Sequence, residues 1–386
     1  MRPPQHPTIA RWLSGVALAA AALRPGAHAG GSVAYSFENY REEDGRITVQ
    51  TQSSSAEQDL PDDAHLKLTG TLDAITGATP TGAPAQAGSG QVELTEMHER
   101  RKAWSGDLSR AFSRVTIDAG VADSRESDYV SFGWSLNALV DFNQKNTTLR
   151  VGGAGTEDNV EVFFEPAYLR KHTHDGILGV TQLIDPLTSV TFNLSWGRAT
   201  GYLGEQRKLV EKSIVLLPGI SLPEAFPESR PNERDKGSAF ASVNHAVPIL
   251  KGALEASYRF YHDTFGITAH TGEAAWIQHL GSEVIVEPSA RLNIQSAANF
   301  YYYNLDATSL MPVRIPNGQG PFYSSDYRIS ALESTSYALK VTWNVNDRIR
   351  LDGSYRVYGM RGRDRTTPAS AYPSAGISSA EVQLSW

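Results

Sequence analysis

The sequence predicts an all-β protein: a transmembrane, antiparallel up-and-down β-barrel of about 16 strands, preceded by a cleaved signal peptide. Three observations predict it. Apolar residues alternate with polar ones along many segments of about ten residues, the links between these segments alternate between short and long, and the last segment ends the chain on a tryptophan. Long strands with one apolar face are typical of a barrel that crosses a bilayer.

Composition excludes several classes of protein before any motif is considered. The chain has 386 residues, a formal charge of −7 and no cysteine. A nucleic-acid partner is not expected, because it requires a basic face. Without cysteine there are no disulfides, thiolate nucleophiles or zinc-thiolate sites. The sequence contains no run of 18 apolar residues, so it predicts no transmembrane helix.

The N-terminus has the organisation of a secretory signal peptide. Arg2 and Arg11 precede the apolar stretch 12–23, and Ala27-His28-Ala29 follows as a small-residue cleavage site. We therefore expect cleavage after Ala29, with residues 1–29 as the signal peptide and residues 30–386 as one barrel domain. Export without cysteine favours the bacterial envelope over a disulfide-stabilised secreted fold.

The period of two is clearest between Val130 and Phe142. Every second residue of this segment is apolar, and the residues between are polar or small apart from Leu139. The same alternation occurs at 66–74, 115–122, 190–196, 254–261, 337–345 and 349–357. Successive strand side chains point to opposite faces, so each segment predicts a strand with one apolar face. A soluble sandwich alternates too, but its strands are usually shorter.

The last strand carries a second signal. Val382, Leu384 and Trp386 alternate with polar residues up to the end of the chain. This ending resembles the assembly signal of bacterial outer-membrane barrels, which implies recognition of the C-terminal strand by the barrel assembly machinery.

Link lengths predict the topology. Long links are expected at 76–102, 156–175, 201–235, 297–329 and 361–375, with three shorter ones on the same side, and seven short turns on the other. Eight outer and seven inner links give sixteen strands, although fourteen or eighteen also fit. Short turns of such barrels face the periplasm, which predicts an outer-membrane location, contact with its lipid, and both termini in the periplasm.

Long stretches of the chain resemble an uncharacterised outer-membrane barrel family, Domain of Unknown Function three-five-seven-zero. The resemblance rests on segments such as YREEDGRITV at 40–49, LTGTLDAITGATPTGA at 68–83, DYVSFGWSLNALVDFNQKNTTLRVG at 128–152 and GVTQLIDPLTSVTFNLSWGRATGYL at 179–203. It continues in ASYRFYHDTFGITAHT at 256–271 and LNIQSAANFYY at 292–302. The resemblance implies a barrel and, through the usual gene neighbours of the family, a periplasmic redox or lipoprotein partner. It implies no activity and no catalytic residues.

The polar strand faces supply a predicted lumen wall. Its charged side chains are Lys67, Asp73, Asp118, Asp141, Glu255, Arg259, Glu287, Arg291, Lys340, Arg350, Asp352 and Arg356, with Glu381 on the last strand. Both signs occur, so no simple ion selectivity follows. These side chains either guide a substrate or form cross-strand ion pairs that rigidify the wall. The proline-rich link 201–235 either folds inward as a constriction or lies outside the barrel.

Four histidines form a candidate metal site. His172 and His174 lie at the end of one predicted outer loop, and His262 and His270 frame another. Imidazole groups from two loops suit Zn, Cu, Ni or Fe if the loops meet. Exposed loop histidines without such a role are the ordinary alternative.

The sequence therefore predicts a channel or transporter for a small solute, with a metal-linked substrate as one option. The first alternative is a closed barrel that holds a periplasmic redox or lipoprotein partner. The last is an outer-rim enzyme using His262 and Asp263, although the chain lacks G-x-S-x-G, H-E-x-x-H and Gly-rich phosphate motifs. We expect no enzymatic activity and no cofactor.

Overall fold

A computed structural model describes residues 30–80 and 91–386, and in this part of the chain sixteen strands close into one antiparallel barrel. The predicted signal peptide and its cleavage site at Ala29 lie outside the described residues. The barrel strands are β1 Gly31–Glu42, β2 Thr48–Leu60, β3 Ala64–Pro80, β4 Leu94–Phe112, β5 Val115–Arg125, β6 Tyr129–Phe142, β7 Thr147–Val162, β8 Glu165–Asp185, β9 Thr188–Gly201, β12 Glu233–Val247, β13 Gly252–Asp263, β14 Thr268–Leu280, β15 Val284–Gln295, β16 Leu332–Asn346, β17 Ile349–Gly362 and β18 Ser374–Ser385.

Strand order follows chain order, as expected for an up-and-down barrel. A separate two-stranded hairpin, β10 Leu209–Leu217 and β11 Ile220–Pro227, lies in the link between β9 and β12. The first and last strands pair from Ser32 opposite Ser385 to Glu42 opposite Ala375 and close the sheet. Closure leaves no unpaired sheet edge, the requirement for a sheet in lipid. The predicted fold and its sixteen strands are confirmed.

The two ends of the barrel differ. Seven short turns lie at the end where β1 begins and β18 ends, here called the termini end, and eight links lie at the opposite loop end. Two predicted links are wrong in extent. β7 continues to Val162 and β8 starts at Glu165, so the expected long loop 156–175 is mostly strand; β3 continues to Pro80 and β4 starts at Leu94, so both ends of the expected loop 76–102 are strand as well. The reason is that the strands continue past their apolar part with polar outward side chains, which carry no period-of-two signal.

Large apolar side chains cover the outer face of the wall. Between 42% and 49% of each side chain is exposed for Trp104, Leu108 and Phe112 on β4 and for Phe132 and Trp134 on β6. Their alternation with polar neighbours places the polar face inside, as the sequence predicts. Among the described residues, no helix is long and apolar enough to cross a membrane.

The buried apolar core lies at the loop end. Links 202–232 and 296–331 meet there, and we call these two segments the cap. Three clusters hold the cap together and attach it to the barrel rim: Phe265, Ile267, Ala298, Phe300 and Ile329; Val210, Leu305 and Tyr323; and Val92, Tyr303, Tyr327, Leu332, Ala371 and Tyr372. Of the two alternatives for link 201–235, the structure therefore shows the inward one.

Candidate functional site: the cap and the lumen wall

A buried ion-pair network joins the two segments of the cap. Arg230 lies 2.8 Å from Glu228 and 2.9 Å from Asp326, and Arg328 lies 2.8 Å from the same Asp326. The Glu228 and Asp326 side chains are only 0% and 2% exposed, and that of Arg230 is 7% exposed. Arg328 also contacts Glu205 at 3.0 Å. Segment 202–232 is thus tied to segment 296–331 by the buried charges of Glu228, Arg230 and Asp326 and by a half-exposed pair between Glu205 and Arg328.

The network shifts the pKa values of its carboxyl groups in opposite directions. Burial alone would raise the pKa of Asp326, but Arg328 and Arg230 outweigh it and hold that pKa well below its usual range. Burial raises the pKa of Glu228, since Arg230 offsets the loss of solvation only in part and Asp326 adds repulsion. Neutralising Arg230 would leave Glu228 without a cationic partner in a medium that does not solvate it, while Asp326 would keep Arg328.

The cap also reaches the far wall of the barrel. The Lys208 ammonium donates to Thr79 Oγ1 at 3.1 Å and to the Pro80 carbonyl at 2.8 Å, at the top of β3. Arg207 lies 2.8 Å from Asp128 and 3.0 Å from Glu99. Around the barrel, β3 lies six strands from β9, where this segment starts. The segment therefore extends over the mouth of the lumen from the β9 side to the β3 side, with contacts to the rim at Asp128 and Glu99 on the way.

A cavity of about 320 Å³ remains between the cap and the β3–β4 wall. Glu126, Asp128, Glu205, Lys208 and Tyr327 are among its lining residues. Burial raises the pKa of Glu126 and lowers that of Lys208, because both lose part of their hydration. Charged side chains of both signs line the cavity together with apolar ones, among them Ile75 and Met97.

A further link at the loop end, residues 363–373 between β17 and β18, is bonded to the β1–β2 link. Arg46 donates to the Ser370 and Ala371 carbonyls at 2.8 and 3.3 Å and pairs with Glu42 at 3.0 Å. Tyr372 in turn shares a hydrogen bond of 2.8 Å with Ser330 of the cap. The cap is therefore anchored on several sides of the barrel.

Strand register places every charged side chain predicted for the lumen on the inner face. Inner-face pairs link neighbouring strands, as in Lys67 with Glu57 at 2.7 Å and Arg101 with Asp73 at 2.5 Å. These wall residues thus act in part as the cross-strand pairs that were the structural alternative. Further inner pairs are Lys236–Asp175, Arg350–Asp352, Lys340–Asp352 and Arg291–Glu273.

Most charged side chains on the inner face that lack a partner of opposite charge are carboxylates. Asp118 and Asp141 accept from the neutral Asn137 and Thr148. Within the described ranges, Glu255, Glu287 and Glu381 make no hydrogen bond or ion pair. Three inner cations also lack an acidic partner there: Arg150, which donates to the Asn137 amide oxygen, Arg259, which lies over the Phe240 ring, and Arg356. The free charge on the lumen wall is therefore acidic on balance, a bias that the sequence did not reveal.

Glycines on the inner face let polar side chains lie flat along the wall. A Cβ at Gly152 would overlap the Asn137 amide, and one at Gly197 would overlap the Asp175 carboxylate and the Lys236 stem. Both positions line a recess of about 470 Å³ in the β6–β12 part of the wall. A larger residue there would push the charged groups into the lumen.

The structure does not bring the four histidines together. His172 and His174 lie on β8, His262 on β13 and His270 on β14, with β9 and β12 between the first pair and the second. His172 and His174 lie within β8 rather than at a loop end, because β8 is longer than predicted. No group of three or more His, Asp or Glu side chains suited to a metal occurs in the described part of the chain.

His262 and Asp263, the pair suggested for an outer-rim enzyme, are also separated. Adjacent strand residues point to opposite faces, so Asp263 points inward and His262 outward. Asp263 is fully buried against Arg234 at 2.5 Å, while His262 Nδ1 lies 3.0 Å from the Thr268 hydroxyl. The two side chains share no reaction centre.

Sequence reasoning missed the residues of the cap network. Glu228, Arg230, Asp326 and Arg328 lie in links without periodicity, where burial leaves no pattern. A weak signal exists in the neighbouring aromatic residues, YYYN at 301–304 and the apolar residues after Arg328, which are unusual for links exposed to solvent.

Similar solved structures are outer-membrane barrels. The siderophore receptor PirA from Acinetobacter baumannii matches with 11% identity and a TM-score of 0.42, over 88% of this chain and 53% of its own. The outer membrane protein OpdK from Pseudomonas aeruginosa matches with 9% identity and a TM-score of 0.44, over 93% and 99%. CdiB from Acinetobacter baumannii matches with 7% identity and a TM-score of 0.51, over 92% and 60%.

At these identities the likeness to solved structures shows the fold alone. The chain spans only about half the length of the PirA receptor. No curated protein sequence matches it. A family described as "Protein of unknown function (DUF3570)" matches residues 13–371, which is most of the chain. The chain therefore belongs to this family.

Proposed function

We propose that the protein is an outer-membrane channel for small polar solutes whose loop end is narrowed by the cap. In this proposal the loop end faces outside and both termini face the periplasm. The closed wall, its exposed apolar outer face and the short turns at the termini end support this placement.

The observation that carries the proposal is the course of segment 202–232 over the mouth of the lumen. Sixteen strands enclose a space wide enough for water unless something fills it. Here the cap occupies the mouth, and the cavity of about 320 Å³ beside β3 and β4 is one of the spaces left next to the wall. That volume corresponds to about ten water molecules. Solutes larger than a few heavy atoms would pass only when the cap moves.

The inner charges support a preference within this proposal. Since the unpaired wall charges are mostly carboxylates, we expect small cations to pass more readily than anions. The excess is small and the lumen is wet, so the preference should weaken as salt is raised.

Current across a planar bilayer tests the proposal. We expect the mature chain to give small or infrequent steps, and a variant with residues 204–229 replaced by a short Gly/Ser linker to give large ohmic steps. Heat-modifiable gel migration would show that both are folded. A second variant also has residues 298–328 replaced by a Gly/Ser linker, and silence from that folded variant would exclude a channel, because both segments of the cap would then be gone.

A closed barrel that holds a periplasmic partner is the second candidate, and the anchored cap favours it as well. This candidate predicts no current from the mature chain or from the linker variant, and recovery of a redox protein or lipoprotein with the barrel.

The orientation of the barrel has its own test. An epitope inserted at the Pro218-Gly219 turn should be reached by antibody on intact cells. A metal-linked substrate and a rim enzyme remain predictions from the sequence, and the positions of His172, His174, His262 and His270 do not support either.

A further inference from the structure

A group of cations lies on the outer face of β4 and β5, just beyond the apolar part of the wall. Lys102 and Arg125 are direct cross-strand neighbours, and Arg100 follows on the same face of β4. Trp104 comes next on β4 towards the termini end, and it lies opposite Asp123, whose other neighbour is Phe132. We call Arg100, Lys102 and Arg125 the basic patch.

The basic patch is poorly neutralised by the protein. Arg125 pairs with Asp123 at 2.9 Å, which leaves part of its guanidinium free. In residues 30–80 and 91–386, the exposed Arg100 and Lys102 side chains have neither an ion pair nor a hydrogen bond. Like charges directly opposite each other in a sheet are destabilising. The arrangement therefore calls for an anion from outside the chain.

The surroundings of the patch point to a lipid rather than a free anion. Trp104 and Phe132 are 42% and 46% exposed directly below it, and Leu108 continues the apolar surface towards the termini end. Aromatic residues of this kind mark the headgroup level of membrane barrels, and Lys and Arg side chains there extend to the lipid phosphates. A free phosphate would gain nothing from the apolar surface below, whereas a lipid would use both.

We propose that Arg100, Lys102 and Arg125 bind the phosphate headgroup of an anionic membrane lipid, whose acyl chains lie against Trp104 and Phe132. This inference rests on the proposed membrane location. It adds a specific lipid contact on the outer wall, remote from the lumen and from the cap network.

Lipid selectivity measured by native mass spectrometry tests the inference. The mature protein, refolded in detergent, is mixed with equal amounts of phosphatidylglycerol and phosphatidylcholine. Each basic residue at a membrane surface contributes about a fivefold effect. The variant Arg100→Gln/Lys102→Gln should therefore lose at least tenfold of the preference for phosphatidylglycerol.

A matched control removes the same charge from the inner face. Arg259→Gln/Arg356→Gln should keep the wild-type preference within twofold, because these side chains do not face lipid. Equal losses of the phosphatidylglycerol preference in both variants, or no loss in either, would overturn the proposed lipid site. So would displacement of phosphatidylglycerol by millimolar inorganic phosphate, which would indicate a free-anion site.

The proposed membrane location can fail separately. A mature chain that folds in buffer without detergent, and does not enter vesicles of either lipid, would overturn the location and the patch together. A mature chain that enters vesicles but shows no lipid preference would overturn the lipid site and leave the membrane location standing.

Discussion

Replacing Arg230 by methionine should open the cap while leaving the barrel intact. Methionine keeps much of the side-chain length but removes the charge that lies 2.8 Å from Glu228 and 2.9 Å from Asp326. Both carboxylates are almost fully buried, and Arg328 compensates only Asp326. Breaking a buried pair by removing one partner typically costs about 3–5 kcal/mol. The open population of the cap should rise by roughly a hundredfold or more, since each 1.4 kcal/mol is tenfold.

Limited proteolysis of segment 202–232, in protein reconstituted into lipid, reports this opening. Cleavage follows the open population when the cap recloses faster than the protease cuts. Bilayer current should increase in parallel, and gel migration should still show a heat-modifiable barrel. Arg314→Gln is the matched control, because its ion pair with Glu224 leaves Arg314 78% exposed and such pairs contribute little.

Two outcomes would refute this reasoning. One is a cleavage rate for Arg230→Met within threefold of the wild-type rate, which would mean that the ion pairs do not hold the cap. The other is failure of Glu228→Gln to restore protection in the Arg230→Met background. That second substitution removes the stranded charge, so part of the lost protection should return.

Three further predictions follow from the same structure. Protection of the cap should fall below about pH 4, where Asp326 begins to take up protons in the open state, because its lowered folded pKa contributes stability only above the ordinary value of about 3.9. Glu228 acts in the opposite sense, because its raised pKa contributes stability below about pH 4.3 that is lost as the pH rises through the folded value. The hydrogen-exchange protection factors of segment 202–232, which correct for the intrinsic pH dependence of exchange, should therefore be highest at mildly acidic pH. Gly176→Val should lower the denaturant midpoint of the barrel by the equivalent of about 1–3 kcal/mol, since a Cβ there meets the Trp196 ring, whereas Gly353→Val, with no atom within 4 Å, should not. Deleting Trp386 should reduce the yield of assembled barrel in cells, measured as the heat-modifiable fraction, more than it reduces refolding in detergent; equal effects in both would count against an assembly signal.

The wall of the barrel could be predicted because membrane strands repeat one physical requirement. Each must present apolar side chains to lipid and polar ones to the lumen, so period and turn spacing alone gave sixteen strands. The prediction failed in extent where that requirement ends. Around His172 and His174 the wall has left the apolar band, both faces are polar, and β8 continues without a pattern.

The cap could not be predicted because its contacts are long-range and aperiodic. Arg230 and Asp326 are 96 residues apart in sequence, and neither neighbourhood shows which carboxylate will meet which guanidinium. The same applies to the lumen charges. Their identities and their inner face follow from alternation, but the excess of unpaired carboxylates appears only when register shows that Asp73 meets Arg101 whereas Glu255 meets no cation.

The position of the cap along the barrel axis determines from which side it can open. On β4, Glu99 contacts the cap while Trp104 and Leu108 form the apolar outer surface, so the cap lies beyond the lipid-facing part of the wall. An intact buried ion pair contributes little net stability once its desolvation is counted, but the loss of one partner is costly, so the pairs fix how the two segments meet. The cap can separate from the rim while the wall stays closed, because the wall is held by its own backbone hydrogen bonds between neighbouring strands. Opening would then start from the loop side, and the barrel below would need no rearrangement.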